Sequence, residues 1–166
     1  EGNYFLAFSS LSPSKNIPRL LQALALLGKE LPDNYKLILA GHIPSQGTPL
    51  STEVQTLGLG KRVVFTGFLP DEDLILLLKH ASVFVFPSLY EGFGIPVLEA
   101  MEAGVPVVCS HAASLPEVAG NAALLFDPLS AEGMAAAMKK IILDPDLRAD
   151  LIRKGYQNVT RFSWKA

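Results

Sequence analysis

The fold is decided by the stretch Phe86-Pro87-Ser88-Leu89-Tyr90-Glu91-Gly92-Phe93-Gly94-Ile95-Pro96-Val97-Leu98-Glu99-Ala100-Met101. The apolar run Val83–Phe86 leads into it and predicts a short buried strand. Residues 96–103 predict a helix, because proline suits the first helical turn and Gly104 suits the position beyond the last. The apolar residues 105–109 predict another buried strand. Strand, glycine-bearing loop, helix and strand together make a βαβ unit.

The loop Gly92-Phe93-Gly94 lies where the chain leaves the strand and enters the helix. Unpaired N–H groups and the positive end of the helix dipole meet at such a point, so an anion is the expected ligand. Glu91 heads the loop and Glu99 lies one turn inside the helix, a spacing that lets both carboxylates face one site. Packing requires neither carboxylate, and together they favour a ligand with hydroxyls as well as phosphate. A tight turn without a ligand is the alternative.

The rest of the chain repeats the same alternation of elements. Four more apolar runs, at residues 4–8, 36–40, 63–65 and 122–126, predict strands. Helices are predicted between and after the strands. They include a first helix capped by Asn16, a second over residues 51–57, one capped by Ser130, one that starts at Asp144-Pro145 and a last one that begins at residues 162–164.

This alternation predicts an α/β fold, a Rossmann-like doubly wound parallel sheet of about six strands with helices on both faces. We assume the common strand order 3-2-1-4-5-6, which places the switch point between strands one and four. The loops that follow those two strands contain Lys15 and Glu91-Gly92-Phe93-Gly94. Residues capable of chemistry therefore gather where this fold binds its ligands.

Composition excludes several classes of protein. A length of 166 residues indicates one domain, and a net charge of −2 without a basic cluster argues against a nucleic-acid partner. The lone Cys109 is consistent with a reducing, cytoplasmic compartment. The longest apolar run, residues 74–78, is too short to cross a bilayer. The loop at residues 9–12 contains no Gly-x-Gly-x-x-Gly, so a dinucleotide-dependent dehydrogenase is not indicated. The three histidines have no metal-ligand spacing.

A longer pattern links the central stretch to a known family. The residues Pro87-Ser88-x-x-Glu91-Gly92-Phe93-Gly94-Ile95-Pro96-Val97-Leu98-Glu99-Ala100-Met101-x-x-Gly104-x-Pro106-Val107-Val108 resemble the Glu-x7-Glu signature of retaining GT-B glycosyltransferases of group 1, the GT4 type. The resemblance extends through residues 115–118 and 126–128 to residues 162–164. It implies that residues 1–166 form the nucleotide-sugar-binding C-terminal half of a GT-B enzyme, whose N-terminal acceptor domain is absent from this chain.

The resemblance also implies roles for individual residues. Lys15 would pair with the donor diphosphate and Glu91 would face the transferred sugar, which makes these two the catalytic candidates. Glu99 would hold the ribose hydroxyls. Relatives usually carry an arginine in the first loop, where Ser10 and Ser14 stand in this chain. The nucleotide base is expected at residues 67–69, and the backbone N–H groups of residues 93–95 are expected to bind phosphate or sugar hydroxyls. The full set of expected donor-binding residues is Ser10, Gly67, Phe68, Leu69, Gly92, Phe93, Gly94, Ile95, Val97 and Glu99.

The reaction implied is transfer of a hexose such as mannose or glucose from a GDP- or UDP-linked donor to an acceptor hydroxyl, with retention of the anomeric configuration. No cofactor and no metal are expected. A cytoplasmic location is expected. Peripheral association of the full-length enzyme with a membrane, through its N-terminal half, is compatible with this expectation. The chain alone is expected to bind nucleotide without turnover. Two alternatives stay open, a GT-B nucleotide-sugar epimerase and a non-catalytic nucleotide-binding module.

Overall fold

The predicted strands pair into one parallel sheet in a computed structural model that describes residues 3–28, 30–32 and 34–162. The strands are β1 (Tyr4–Ser9), β2 (Lys36–Gly41), β3 (Val63–Gly67), β4 (Val83–Phe86), β5 (Val107–Ser110) and β6 (Ala123–Phe126). All neighbouring strands run parallel in the order β3-β2-β1-β4-β5-β6. The predicted fold class and the assumed order are confirmed, and β1 lies beside β4 at the switch point.

Seven α-helices lie in the described part of the chain. They are α1 (Ile17–Leu27), α2 (Pro49–Thr56), α3 (Asp71–Lys79), α4 (Ile95–Glu102), α5 (Leu115–Ala119), α6 (Ala131–Leu143) and α7 (Pro145–Val159), and a short 3₁₀ helix covers Pro13–Lys15. The Ser130 side chain accepts a hydrogen bond from Gly133 N, which confirms the predicted cap. The Asp144 side chain accepts one from Leu147 N and so caps the helix predicted to start at Asp144-Pro145. The helix expected from residues 162–164 falls mostly outside the described residues.

The predicted start of α2 is wrong by two residues. The helix begins at Pro49 rather than Ser51, and Thr48 occupies the cap position. The Thr48 hydroxyl accepts a hydrogen bond from Ser51 N, at 3.5 Å. Proline suits the first helical position because the N–H it lacks would have no partner there. A threonine followed by proline therefore sets the start of this helix.

Two apolar layers cover the two faces of the sheet. Alternate residues of the central strands divide between them, so Phe5 and Val85 belong to one layer and Leu6 and Phe84 to the other. Helices α1 and α6 supply much of the first layer, and α4 and α5 much of the second. Each fully buried large side chain contributes roughly 1.5–3 kcal/mol. This packing confirms helices on both faces and holds the carboxyl ends of β1 and β4 together.

The loops at the carboxyl edge of the sheet carry exposed apolar side chains. Phe68, directly after β3, is 86% exposed, and Leu11, after β1, is 79% exposed. Ile43, Tyr90 and Leu129 lie in the loops after β2, β4 and β6 and are also exposed. The carboxyl ends of parallel strands share one edge, so these side chains form an apolar border around the switch point.

Candidate functional site

Lys15 and Glu91 meet at the switch point as an ion pair. Lys15 ends the 3₁₀ helix that follows β1, and Glu91 lies in the loop that follows β4. The Lys15 Nζ lies 2.5 Å from the Glu91 Oε1, and the two side chains are 26% and 17% exposed. The Nζ also lies 5.4 Å from the centroid of the Phe86 ring. The sheet order thus brings together two predicted site residues that are 76 positions apart in the sequence.

A buried hydroxyl holds the same carboxylate oxygen. Ser88 is fully buried, and its Oγ donates to the Glu91 Oε1 at 2.8 Å. The carbonyl oxygen of Ser88 in turn accepts from the Ser110 Oγ at 2.5 Å. The orientation of Glu91 is therefore set from the interior of the protein. Neither serine was among the predicted site residues, although the position of Ser88 in the same loop, three residues before Glu91, is a usable signal.

Asn16 connects three loops at this edge. Its side-chain amide donates to Pro87 O at 3.0 Å, in the loop after β4, and to Pro128 O at 2.8 Å, in the loop after β6. Its own backbone is left-handed, with φ 57°, and the residue is 8% exposed. Asn16 does occupy the cap position of α1, as predicted, but its side chain makes no capping hydrogen bond. The asparagine holds the loop carrying Lys15 against the loop carrying Glu91.

The start of α4 offers hydrogen-bond donors beside this pair. Gly94 occupies the cap position with φ 100°, and no side chain of the described residues caps the helix there. The positive φ favours glycine at this position, and a Cβ on Gly94 would lie 2.6 Å from the Leu115 Cδ2, so the Leu115 side chain would have to shift. The Ser114 hydroxyl lies within hydrogen-bond distance of Phe93 O and Glu91 O, at 3.0 and 3.2 Å. An ordered, uncapped helix start is a binding site for anions.

Glu99 lines a cleft between α3 and α4. The cleft has a volume of about 590 Å³ and is lined by Phe8, Asp71, Leu74, Ile75, Leu78, Lys79, Glu99, Glu102 and Ala103. Phe8 belongs to β1, so the cleft reaches the same central strand that leads to Lys15. Glu99 therefore lines this cleft, whereas Glu91 pairs with Lys15 at the switch point.

The other predicted site residues occupy the surrounding loops. Ser10 accepts a hydrogen bond from Ser12 N at 3.2 Å. Gly67 ends β3 with φ 76°, Phe68 is largely exposed and Leu69 is half-buried. These positions, on the loops after β1 and β3, border the switch point without contacting Lys15 or Glu91 in any described hydrogen bond.

The predicted residues around the start of α4 differ in exposure. Gly92 is exposed, and Ile95 is 44% exposed. The Phe93 ring meets the edge of the Phe162 ring, with centroids 5.7 Å apart. The Val97 side chain is fully buried, and its N–H bonds to Gly94 O at 3.0 Å. The Val97 side chain is therefore held in the core, and its N–H is already bonded within the first turn of α4.

Within the described residues, no group of three or more His, Cys, Asp or Glu side chains is arranged to hold a metal ion. None of the described helices is both long enough and apolar enough to cross a bilayer.

Comparisons with known proteins agree on one family. The family model described as glycosyl transferases group 1 matches residues 1–158. The O-antigen chain mannosyltransferase B of Escherichia coli is 41% identical over 165 residues, which cover 98% of this chain and 42% of that protein. The chain thus spans less than half the length of this relative.

Solved structures show the same fold. The C-terminal domain of the group 1 glycosyl transferase family protein LpcC from Francisella tularensis superposes with a TM-score of 0.81 and 26% identity, over 96% of this chain and 86% of that one. Anabaena HepE, solved with UDP and glucose, matches with a TM-score of 0.83 and 27% identity, over 96% of this chain and 44% of that one. The sheet and its helices are those of the C-terminal half of a GT-B fold.

Proposed function

This chain belongs to the group 1 glycosyl transferases, and we propose that it is the nucleotide-sugar-binding C-terminal half of a retaining enzyme that transfers a hexose from a nucleoside diphosphate sugar to an acceptor hydroxyl. The observation that carries the proposal is the meeting of Lys15, Glu91 and the uncapped start of α4 at the switch point. One cation, one carboxylate and the backbone N–H groups of the loop that enters α4 suit a ligand that combines a diphosphate with hydroxyl groups.

The departing diphosphate is the part of the reaction that this half must stabilise. Negative charge grows on the leaving phosphate oxygen as the bond to the sugar breaks, and fixed donors aimed at that oxygen lower the barrier. Lys15 supplies a charged donor, and the N–H groups at the start of α4 supply dipolar ones. Ser10 and Ser14 stand in the first loop where relatives usually carry an arginine, so in this proposal Lys15 is the main side-chain cation of the diphosphate site.

The two carboxylates divide the rest of the donor between them. Glu91, held by Ser88 from the interior, faces the transferred sugar and steadies positive charge at its anomeric carbon. Glu99 binds the ribose hydroxyls from the cleft between α3 and α4. The base lies at Gly67-Phe68-Leu69, the loop that leads into α3. Phe68, with 86% of its surface exposed, offers a flat apolar face to a base.

Mannose is the sugar that the comparisons favour. The relative that is 41% identical is named as a mannosyltransferase, and the structure of HepE was solved with UDP and glucose. We therefore propose a GDP- or UDP-linked hexose as donor, with mannose ahead of glucose.

The apolar border around the switch point supports a partner domain. Leu11, Phe68 and Tyr90 are among its exposed members, and more than half of the mannosyltransferase relative lies outside the matched region. We propose that an N-terminal acceptor domain of the same enzyme packs against this edge and closes over the donor. The enzyme acts in the cytoplasm in this proposal, and membrane contact would come through that other half.

The proposal is tested first by binding. Calorimetric titration of this chain with GDP, GDP-mannose, UDP and UDP-glucose should give saturable binding of at least one nucleotide and its sugar. Glu99→Ala should weaken binding of the nucleotide, and Glu117→Ala, at an exposed carboxylate on α5, serves as the matched control. Equal affinities in all three proteins would contradict the assignment of Glu99.

The second test concerns the reaction. The enzyme that contains this chain together with the acceptor domain should move radiolabelled sugar to an acceptor. The chain alone should bind the donor without transfer. Conversion of the labelled donor to an epimer, with no label on any acceptor, would identify an epimerase instead. Binding with neither outcome in the complete enzyme would leave a nucleotide-binding module.

A further inference from the structure

We infer that Glu91 competes with the donor's diphosphate for Lys15, so that the site discriminates between the intact nucleoside diphosphate sugar and the bare nucleoside diphosphate left after transfer. This inference rests on the proposed function and adds a second role for Glu91, that of a specificity-determining residue. The motivating observation is that the carboxylate already occupies the cation that the phosphate needs.

The geometry makes the competition direct. The Lys15 Nζ lies 2.5 Å from the Glu91 Oε1, which is full hydrogen-bond contact between opposite charges. A phosphate oxygen that binds the same ammonium comes close to the same carboxylate. The two negative groups repel each other, and both side chains are largely shielded from water, at 26% and 17% exposure, so solvent screens this repulsion incompletely. The diphosphate must therefore displace Glu91 or bind against its charge.

The sugar relieves this conflict. A carboxylate that gives up its cation needs another donor, because a half-buried charge without a partner is costly. Ser88 supplies one hydrogen bond to the Oε1 from the interior, and a hydroxyl of the bound sugar supplies the donor that Lys15 no longer provides. The intact donor thus compensates Glu91 while its diphosphate takes Lys15.

Product release follows from the same balance. After transfer, the sugar and its hydroxyls leave with the acceptor, and Glu91 loses their hydrogen bonds. The carboxylate then returns to Lys15 and opposes the diphosphate that remains. The nucleoside diphosphate is consequently held less tightly than the donor that produced it, through the same two side chains that bind the donor.

The test is a double-mutant cycle on this chain. Glu91→Gln keeps the size of the side chain and an oxygen that accepts from Ser88, and it removes the charge. Calorimetry with GDP and GDP-mannose, and with UDP and UDP-glucose, is carried out on wild type, Glu91→Gln, Lys15→Ala and the double variant. We expect Glu91→Gln to bind the nucleoside diphosphate about fivefold more tightly, which converts to about 1 kcal/mol, and to bind the nucleotide sugar no more tightly than wild type. In the Lys15→Ala background, Glu91→Gln should tighten diphosphate binding by a clearly smaller factor than in wild type, because only the repulsion between the two negative groups remains and no cation is left to compete for.

The outcomes separate cleanly. An unchanged or weaker diphosphate affinity in Glu91→Gln overturns the inference, and so does a tightening of equal size in the Lys15→Ala background, which would indicate general charge repulsion. In both cases the proposed function stands, because the nucleotides still bind. Failure of the wild-type chain to bind any of the four nucleotides overturns the proposed function and this inference with it. Thermal unfolding checks that each variant is folded. If Glu91→Gln disturbs the loop, Glu91→Ala also removes the carboxylate and replaces it in the same cycle.

Discussion

Substitutions of Asn16 should show how much its two side-chain hydrogen bonds, and how much its left-handed backbone, contribute to the free energy of unfolding. The Asn16 amide donates two hydrogen bonds, to Pro87 O at 3.0 Å and Pro128 O at 2.8 Å, from a side chain that is almost fully buried. A hydrogen bond contributes about 0.5–1.5 kcal/mol net, so loss of both should cost about 1–3 kcal/mol. The φ of 57° adds a second term, because alanine tolerates that conformation poorly while glycine and asparagine tolerate it well.

Three variants distinguish these terms. Asn16→Gly loses the two hydrogen bonds, and glycine adopts the left-handed backbone conformation without strain. We therefore expect the free energy of unfolding to fall by about 1–3 kcal/mol. Asn16→Ala should be about 1 kcal/mol less stable than Asn16→Gly, since it adds the strain. Asn16→Asp presents acceptors to two carbonyl oxygens and should be less stable than Asn16→Gly.

Urea denaturation followed by circular dichroism, with linear extrapolation to water, measures all three variants. An Asn16→Gly protein as stable as wild type would refute the reasoning, because the two hydrogen bonds would then contribute nothing. An Asn16→Ala protein more stable than Asn16→Gly would refute the argument from strain. The same variants should bind a nucleoside diphosphate more weakly and a nucleoside unchanged, because the loop they loosen carries Lys15 and not Glu99.

Other expected outcomes concern single side chains. Lys15→Ala should weaken nucleoside diphosphate binding by about 2- to 30-fold and leave nucleoside binding unchanged. The variant loses a charged hydrogen bond to the phosphate, which contributes about 1.5–3 kcal/mol. It also no longer has to break the ion pair with Glu91 before the phosphate binds, and this offsets about 1 kcal/mol of the loss. Calorimetry with nucleoside, monophosphate and diphosphate checks this, and an equal loss for all three would place Lys15 elsewhere on the nucleotide. Glu99→Gln should weaken nucleoside and diphosphate binding by the same factor, in contrast to Lys15→Ala, and a loss confined to the diphosphate would argue against ribose contact. Burial raises the pKa of Cys109 to about 12, so the thiol stays protonated at pH 8 and should react with a disulfide reagent only at the rate of unfolding; fast labelling of the native chain would contradict that burial.

The alternation of strands and helices could be predicted from local signals, whereas the order of the strands was assumed from the commonest arrangement of such sheets. Apolar runs separated by helical segments predict a doubly wound sheet, and the switch point of such a sheet brings the loops after β1 and β4 together wherever they lie in the sequence. The nearness of Lys15 and Glu91 follows from that topology alone. Their direct contact does not, since it depends on the length and rotamer of two side chains and on the hydroxyl of Ser88.

The parts that the sequence did not predict depend on contacts between distant segments. Asn16 carries the local signal of a helix cap, but its amide has two partners, 71 and 112 residues away, that satisfy it better than the start of α1 does. Ser110 acts on the site by donating a hydrogen bond to the carbonyl oxygen of Ser88. The residues around Ser88 and around Ser110 carry no sequence motif that would predict this bond.

The site without ligand is electrically balanced, and this shapes how it can recognise a diphosphate. Lys15 and Glu91 cancel each other, and the first loop has serines at positions 10 and 14, so the loops after β1 and β4 together present no net positive charge over a long range. Recognition must then come from short-range donors, namely the N–H groups at the start of α4 and the ammonium once Glu91 has given it up. Short-range donors act only when they are held in place, and Asn16, Ser110 and Ser114 are the side chains that tie their loops to one another. The specificity of the site therefore depends on buried uncharged groups behind it as much as on the two charges that the ligand meets.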